Sequence, residues 1–283
     1  MLRHPLLDQP YQPTLQSWIA CFTGYRMPEA LDAELSRYDP NDPDDREQLI
    51  RRYCLARDDV RENFRHRQQR VLALQAAVAD AHYDFGQVWE PPEDDYEDPQ
   101  WPSGWPERVI DSREFFQRLL RAARELWHDD LARAQLPSLK QCQEIAERDR
   151  GSRDWLFSVD NPEAWKAQFG LAATPYELET PGPQFHGERL HLALSGELPR
   201  QLLPASWNSS PGPSHCRLVL EIQGISELAM SGTRFDGPMR TQLTRLNPGY
   251  YVRLEIGFDS VIECVALSVS IAQVKGTQDE KQL

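Results

Sequence analysis

The sequence predicts an α+β protein, with an N-terminal helical part followed by a C-terminal, mainly antiparallel β-sheet. Apolar residues recur at helical spacing through most of the first 170 positions, and they alternate with polar residues in the segments after position 187. The connections between these alternating segments are too short for crossover helices, so the strands should run antiparallel. We therefore expect a helical domain over residues 1–170, a connection over 171–187, a β domain over 188–275 and a polar tail over 276–283.

The helical part is divided by residues that favour helix starts. A short first helix carries its apolar residues on one face between positions 15 and 22. The later starts are Pro28, Asp42-Pro43, Asp111 or Ser112, Ser138 with Gln141 as a capping box, and Asn161-Pro162. From Asp42 the helical spacing continues to Gly86, which predicts either one long helix or two helices with a break near Arg67.

Four alternating segments predict the strands. Their apolar faces lie within residues 190–194, 218–222, 250–258 and 265–271. Asn247-Pro248-Gly249 predicts the turn before the third strand. On the opposite, exposed face of that strand we expect Tyr251, Arg253 and Glu255.

The composition of the chain limits which binding partners and which cellular compartment we expect. Hydrophobic residues make up 40% of the chain, which allows a substantial core, and the longest apolar runs are too short to cross a bilayer. A net charge of -13 repels phosphate backbones, so the expected partner is a basic protein and neither nucleic acid nor a membrane. The start of the chain lacks the apolar region of a signal peptide, and five scattered cysteines suit reduced thiols. These features predict a cytoplasmic protein.

The sequence contains no P-loop, GxGxxG, GxSxG or HExxH motif. The best metal-like cluster is formed by His186, Glu188 and His191, but on one strand His191 would point away from the other two. Cys142 and Cys264 are candidate nucleophiles, and their apolar neighbours favour buried, inert thiols. We therefore expect no catalytic residue, no metal and no cofactor.

A segment at residues 80–105, here called the acidic–aromatic segment, stands out. Residues 80–98 hold eight acids and no Lys or Arg, and aromatic residues are interleaved with them. Its prolines prevent a regular helix. One interpretation is a solvated loop whose Trp residues anchor it to the core; the other is a binding surface, because Trp and Tyr are enriched at binding hot spots. The predicted partner-binding residues are Asp94, Asp95, Tyr96, Glu97, Asp98, Trp101 and Trp105.

Three C-terminal stretches, CRLVLEIQGISELAMSG, GYYVRLEIGF and VIECVALSVSIAQV, resemble the C-terminal pattern of bacterial immunity proteins. These proteins protect a cell from the toxins of contact-dependent competition, including those of type VI secretion. Gln223-Gly224-Ile225 stands where such a family has an aromatic-Gly-Val-like turn, with Ile222 in place of the usual aromatic residue, and Cys264 suits the last strand. The resemblance covers roughly the last 70 residues and leaves out the helical part.

The resemblance implies a protein without catalytic residues that neutralises a cognate secreted toxin by stoichiometric binding. Acidic immunity proteins commonly neutralise nucleases, whose clefts are basic, so the charge favours a nuclease as the toxin. A second hypothesis is an adaptor or chaperone for a secreted effector, which would share the acidity and the lack of motifs. A third is an enzyme with an unrecognised site near His186.

Overall fold

The order of helices and strands confirms the predicted α+β class: helices come first, and an antiparallel sheet of nine strands follows. The chain forms two compact units, residues 1–131 and residues 132–283. The computed structural model describes residues 2–5, 9–23, 27–56, 62–90, 101–106, 109–148, 155–169, 178–197 and 215–277.

The described part of the chain contains eight α-helices. They are α1 (Gln16–Ile19), α2 (Glu29–Leu35), α3 (Pro43–Leu49), α4 (Phe64–Ala79), α5 (Ser112–Leu126), α6 (His128–Arg133), α7 (Leu139–Arg148) and α8 (Glu163–Phe169). A π-helical turn, Ile50–Leu55, follows α3, and short 3-10 turns lie at Gly86–Trp89 and Trp155–Phe157. None of these described helices has the length and apolar character that a bilayer crossing requires.

Capping hydrogen bonds confirm two of the predicted helix starts. The side chain of Asp42 accepts hydrogen bonds from the N–H groups of Asp44 and Asp45 at the start of α3. At α7, the N–H of Ser138 donates to Gln141 Oε1 over 2.9 Å, and the N–H of Gln141 donates to Ser138 Oγ over 3.4 Å. This reciprocal pair is the capping box expected there.

The break expected near Arg67 occurs earlier in the chain. Asn63 begins α4, because its side chain accepts hydrogen bonds from the backbone N–H groups of Arg65 and His66, while the His66 side chain accepts one from the N–H of Asn63. Arg67 therefore lies within the first turn of α4. The apolar spacing alone does not reveal this cap, because the spacing continues in the same register through α3 and α4.

Aromatic side chains fill the core of the first unit. The buried ones are Trp18, Phe22, Phe64, Phe85, Phe115, Phe116 and Trp127. The Trp18 and Trp127 rings stack with centroids 5.4 Å apart, and the guanidinium of Arg70 lies 3.9 Å from the centroid of Trp18. Arg70 also pairs with Glu62 at 3.0 Å, so this buried charge is both stacked and paired.

The second unit contains the sheet. Its strands are β1 (Leu178–Thr180), β2 (Pro183–His186), β3 (Arg189–Glu197), β4 (His215–Gln223), β5 (Glu227–Ser231), β6 (Gly237–Arg245), β7 (Tyr250–Ile256), β8 (Ser260–Ala266) and β9 (Ser268–Thr277). They pair antiparallel in the order β5-β8-β7-β6-β1-β3-β4-β9, with β2 beside β3. Strands β3, β4 and β7 match three predicted segments, except that β7 ends at Ile256 and Phe258, expected on its apolar face, is exposed. Strands β1, β2, β5 and β6 were not among the predicted strands.

Strands β4 and β5 follow each other directly, as do β8 and β9, and together they form one long two-stranded ribbon that bends. β4 pairs with β9 and β5 pairs with β8, although only residues 224–226 separate β4 from β5 and only Leu267 separates β8 from β9. The N–H of Leu267 donates to the carbonyl oxygen of Gln223 over 3.0 Å and holds the bend. At this corner the chain passes from the half of the sheet that contains β4 and β9 to the half that contains β5 and β8. The inner faces of both halves are therefore buried in one core.

The bend corrects the fourth predicted strand, which was expected to run straight through residues 265–271. Val265 belongs to β8 and faces α7, whereas Val269 and Ile271 belong to β9 and face the inner core of the sheet. The change of face at Leu267 interrupts what the alternating pattern presents as one continuous strand.

Helices α7 and α8 belong to the sheet unit. Cys142 of α7 packs on the outer face of the sheet, and Trp165 of α8 joins the inner core. The structure therefore differs from the expected domain boundaries: the first unit ends at residue 131 and not at 170, β1 and β2 lie within 171–187, and β9 reaches Thr277. Helical periodicity shows that a segment has one apolar face, but it does not show which core buries that face.

Candidate functional site

The acidic–aromatic segment is only partly within the described residues. Five predicted partner-binding residues, Asp94, Asp95, Tyr96, Glu97 and Asp98, lie outside them. The described flanks end at residue 90 on one side and begin at residue 101 on the other.

Trp101 and Trp105 hold the C-terminal end of the segment against the core of the first unit. The Trp101 ring lies 5.3 Å from that of Trp89 and 6.3 Å from that of Trp105, and Trp105 lies 5.1 Å from Phe22. The indole N–H of Trp105 donates to the carbonyl oxygen of Leu35 over 2.9 Å. Both predicted contact residues therefore make anchoring contacts within the unit, while each ring remains half-buried.

A second set of contacts fixes the same end to α2. The N–H and hydroxyl of Ser103 each donate to a carboxylate oxygen of Asp32 over 2.8 Å, and these bonds lower the pKa of Asp32. The N–H of Gly104 donates to Ser36 Oγ over 3.0 Å. Gly104 approaches so closely that a Cβ there would lie 2.7 Å from the Ser36 carbonyl oxygen. Sequence reasoning did not identify Asp32 or Ser36, because about 70 residues separate them from their partners.

The acids at the N-terminal end of the segment are exposed. Asp80 Oδ1 accepts a hydrogen bond from the N–H of His82, and Asp84 Oδ1 accepts one from the N–H of Gly86. Glu90, the last described residue on this side, is also exposed. The guanidinium of Arg113 approaches this end, and it donates to the backbone carbonyls of residues 78, 80, 81 and 83. These carboxylates therefore present their charge to solvent.

The structure corrects the expectation that Tyr251, Arg253 and Glu255 share an exposed strand face. Tyr251 is buried, because α7 covers this part of the outer sheet face. Its hydroxyl donates to Glu263 over 2.5 Å, and burial together with this bond raises the pKa of Tyr251. Only Arg253 and Glu255 of the expected face retain substantial exposure, and they pair with each other at 3.1 Å.

Glu263 is the centre of this polar cluster. Burial alone would raise its pKa, but hydrogen bonds from Tyr251 and Gln143 and the charge of Arg253 lower it. Arg253 lies 3.1 Å from Glu263 Oε1, and Gln143 lies 3.1 Å from Glu263 Oε2. The carboxylate is thus satisfied by the sheet and α7, and it serves to join them.

The His186 cluster differs from its predicted arrangement. β2 and β3 form a hairpin with Gly187 and Glu188 at its turn, so His186 and His191 share one face, with ring centroids 5.3 Å apart. Glu188 instead forms an ion pair with Arg133, and His191 Nε2 lies 3.1 Å from Glu221 Oε1. Within the described ranges no group of three or more His, Cys, Asp or Glu side chains has a geometry that could hold a metal ion.

Cys142 and Cys264 are both buried, as the sequence indicated. Burial, with a smaller contribution from the charge of Glu227, raises the pKa of Cys142 to about 11, and burial raises the pKa of Cys264 to about 12. At neutral pH both are therefore protonated thiols, and the nucleophilic form is the thiolate. Their position favours a packing role.

Comparisons with protein-family models, with curated proteins and with solved structures found no match for this chain. The assignment of a function to the acidic–aromatic segment therefore depends on its own charge, exposure and contacts.

Proposed function

We propose that this chain is an immunity protein that binds and neutralises a basic, secreted antibacterial toxin by stoichiometric inhibition. The observation that carries the proposal is the acidic–aromatic segment, in which eight acids stand without a Lys or Arg between residues 80 and 98. The contacts of Trp101, Ser103 and Trp105 support it, because they hold one end of the segment in a defined place. A segment held at its end loses less conformational entropy on binding than a free chain does.

The charge of the segment favours a nuclease as the toxin. A nuclease carries a basic cleft for its phosphate-bearing substrate, and an acidic inhibitor can both occupy that cleft and approach it faster through long-range attraction. In this proposal Asp94, Asp95, Glu97 and Asp98 attract the toxin, and Tyr96 makes the contact. The packing of Trp101 and Trp105 favours a supporting role for these two residues, with only their exposed edges available to a partner.

The test compares two variants that change the net charge equally. One carries Asp94→Asn, Asp95→Asn, Glu97→Gln and Asp98→Asn. The control carries Asp129→Asn, Glu144→Gln, Glu147→Gln and Glu179→Gln, which replace four exposed acids elsewhere. Both change the formal charge from -13 to -9. The partner to be tested is the purified product of the gene that adjoins that of this chain.

We expect the segment variant to associate with the toxin at least tenfold more slowly at low salt, with a smaller difference at high salt because ions screen the attraction. The control should keep most of the wild-type rate. Equal rates for the two variants at every salt concentration would show that the segment is not the interface.

An inhibition assay separates this proposal from the second hypothesis. An immunity protein abolishes toxin activity at a 1:1 molar ratio, whereas an adaptor or chaperone binds the effector and leaves its activity intact. For the enzyme hypothesis, the candidate within the described residues is the hairpin pair His186 and His191. Metal analysis of the purified protein, and hydrolase activity abolished by His186→Ala, would support that hypothesis over ours.

A further inference from the structure

The two end strands of the sheet order, β9 and β5, differ in how their outer edges are protected. At the β9 edge, the N–H of Asp160 donates to the carbonyl oxygen of Val269 over 2.8 Å, and its carboxylate accepts from the N–H of Val269 over 3.1 Å. The amide of Asn161 likewise donates to the carbonyl oxygen of Ile271 over 2.9 Å and accepts from its N–H over 2.7 Å. These four bonds occupy the outward backbone groups of Val269 and Ile271, in the first half of β9.

The β5 edge has no such cover among the described residues. The hydrogen bonds of residues 228–231 in the described part of the chain are those of the ladder with β8. The strand contains no Lys, Arg or Pro and no bulge, which are the usual features that discourage pairing at an edge. With respect to the described residues, its outward backbone groups are therefore available to a further strand.

The side chains of β5 add an apolar surface to this edge. Leu228 and Met230 pair with Cys264 and Ile262, both of which are buried in the inner core, so all four point to the same face. Leu228 and Met230 are nevertheless 43% exposed each. They extend the apolar inner face of the sheet to its margin, where a neighbouring strand would cover them.

We propose that β5 pairs with β5 of a second copy of this chain, antiparallel and about a two-fold axis through Ala229. In this register Leu228 of one copy lies opposite Met230 of the other, so apolar side chains meet on the core face. The single charge of the strand, on Glu227, lies opposite the uncharged Ser231 and not opposite the second Glu227. In this register no two like charges lie opposite each other in the ladder. Both copies use the same surface, so the assembly is closed as a dimer.

The charge of the whole chain predicts how this dimer responds to salt. Each copy has a formal net charge of -13, so two copies repel each other at long range. Added salt screens this repulsion and should strengthen the dimer. The effect is opposite in sign to that expected for the association of the acidic–aromatic segment with a basic toxin, so the two interactions can be told apart.

The test uses the full chain alone, without any toxin, and does not depend on the proposed function. Sedimentation velocity should show a species of twice the 32.7 kDa chain mass at about 100 μM, a concentration that saturates an interface with a Kd in the low micromolar range. A five-residue strand is short, so the dimer should dissociate on dilution. Met230→Lys places a charge at the pairing edge and should give a monomer. The matched control is Leu72→Lys on α4, where the leucine is 48% exposed, and it should remain dimeric.

A cross-linking experiment tests the register. Ala229→Cys places two thiols on the axis, and mild oxidation should produce a covalent dimer that the control Ala81→Cys, at another exposed alanine, does not form. A chain that is monomeric at 100 μM overturns the proposal. So does a dimer that Met230→Lys leaves intact and that Ala229→Cys does not cross-link. If the wild-type chain is a monomer and Met230→Lys abolishes its binding to the toxin, the β5 edge pairs with a strand of the toxin. That result would likewise overturn the pairing of two copies of this chain.

Discussion

At the residue scale, the same residue type serves different purposes in this chain. Trp101 and Trp105 lie next to a run of acids, where the sequence suggests a binding surface, yet their rings pack against Trp89 and Phe22. Asp32 and Glu263 are two of the 44 acidic residues, and each accepts several hydrogen bonds from residues far away in the chain or on neighbouring strands. Contacts, and not residue type, distinguish these side chains.

Trp105→Ala should lower stability and weaken toxin binding only slightly per folded molecule, because it loosens one anchor of the segment and removes no contact with the toxin. The substitution removes a half-buried ring and its hydrogen bond to Leu35, and we expect a loss of about 2 kcal/mol in the free energy of unfolding, less than for a fully buried Trp. Trp105→Phe keeps much of the packing and should lose about 1 kcal/mol. Urea unfolding and toxin titration on the same samples provide the measurement. A Trp105→Ala protein of normal stability with weakened toxin binding would return Trp105 to the interface.

Tyr250 should make the fold sensitive to alkaline pH. Burial, followed by the hydrogen bond to Asp160 and its charge, raises the pKa of Tyr250 to about 12 from an ordinary value of 10.0. A group whose pKa is raised in the fold contributes stability that is complete below its unfolded pKa and is lost as the pH rises through the folded pKa. Stability should therefore fall between pH 10 and pH 12, and Tyr250→Phe should show a shallower decline over this window. Parallel curves for the two proteins in alkaline denaturation would contradict this role.

At the scale of elements, the bend of the β4–β5 ribbon depends on Gly224. This residue has φ +64, and a Cβ there would lie 2.8 Å from Leu267 Cδ1 and 3.0 Å from Leu267 Cβ. The turn expected at Gln223-Gly224-Ile225 has a physical role in the structure, since the chain changes from one half of the sheet to the other here. A residue with a side chain would have to adopt a left-handed conformation and displace Leu267 at the same time.

Gly224→Ala should therefore cost more stability than Gly187→Ala. Gly187 has nearly the same φ, +61, but a Cβ there would meet nothing within 4 Å. The strain of a left-handed conformation alone should cost Gly187→Ala about 1 kcal/mol, whereas the clash with Leu267 should raise the cost at Gly224 to about 3 kcal/mol. Thermal or chemical unfolding of the two variants gives the comparison. Equal losses would mean that Leu267 moves aside without cost and that the bend is not tightly packed.

At the scale of the whole molecule, each unit has its own buried core. The first core contains residues of α1 to α5 and combines aliphatic side chains with six aromatic ones, and the second lies between the halves of the bent sheet. Two helices that the helical pattern assigns to the N-terminal domain contribute to the sheet unit, α7 on the outer face and α8 in the inner core. The sheet unit therefore begins well before its first strand.

A fragment of residues 132–283 should fold by itself, whereas a fragment of residues 171–283 should not. The shorter fragment lacks Trp165 and Phe169, which fill the inner core, and Asn161, which covers the β9 edge. Removing these side chains leaves cavities and an unprotected edge, both of which favour unfolding or aggregation. Near-ultraviolet circular dichroism and a cooperative thermal transition would identify the folded fragment. A well-folded 171–283 fragment would show that the expected domain boundary at residue 170 is the physical one.

The sequence by itself determined the α+β class, the order of helices before strands, the caps at Asp42 and Ser138, and the burial of Cys142 and Cys264. These are local properties, because periodicity and capping depend on residues within a few positions of each other. Only the tertiary structure decided that α7 covers Tyr251, that the hairpin at Gly187 brings His186 and His191 together, and that Trp105 is held by Leu35. Such contacts join residues far apart in the chain, and a pattern that shows an apolar face does not identify the surface against which that face packs.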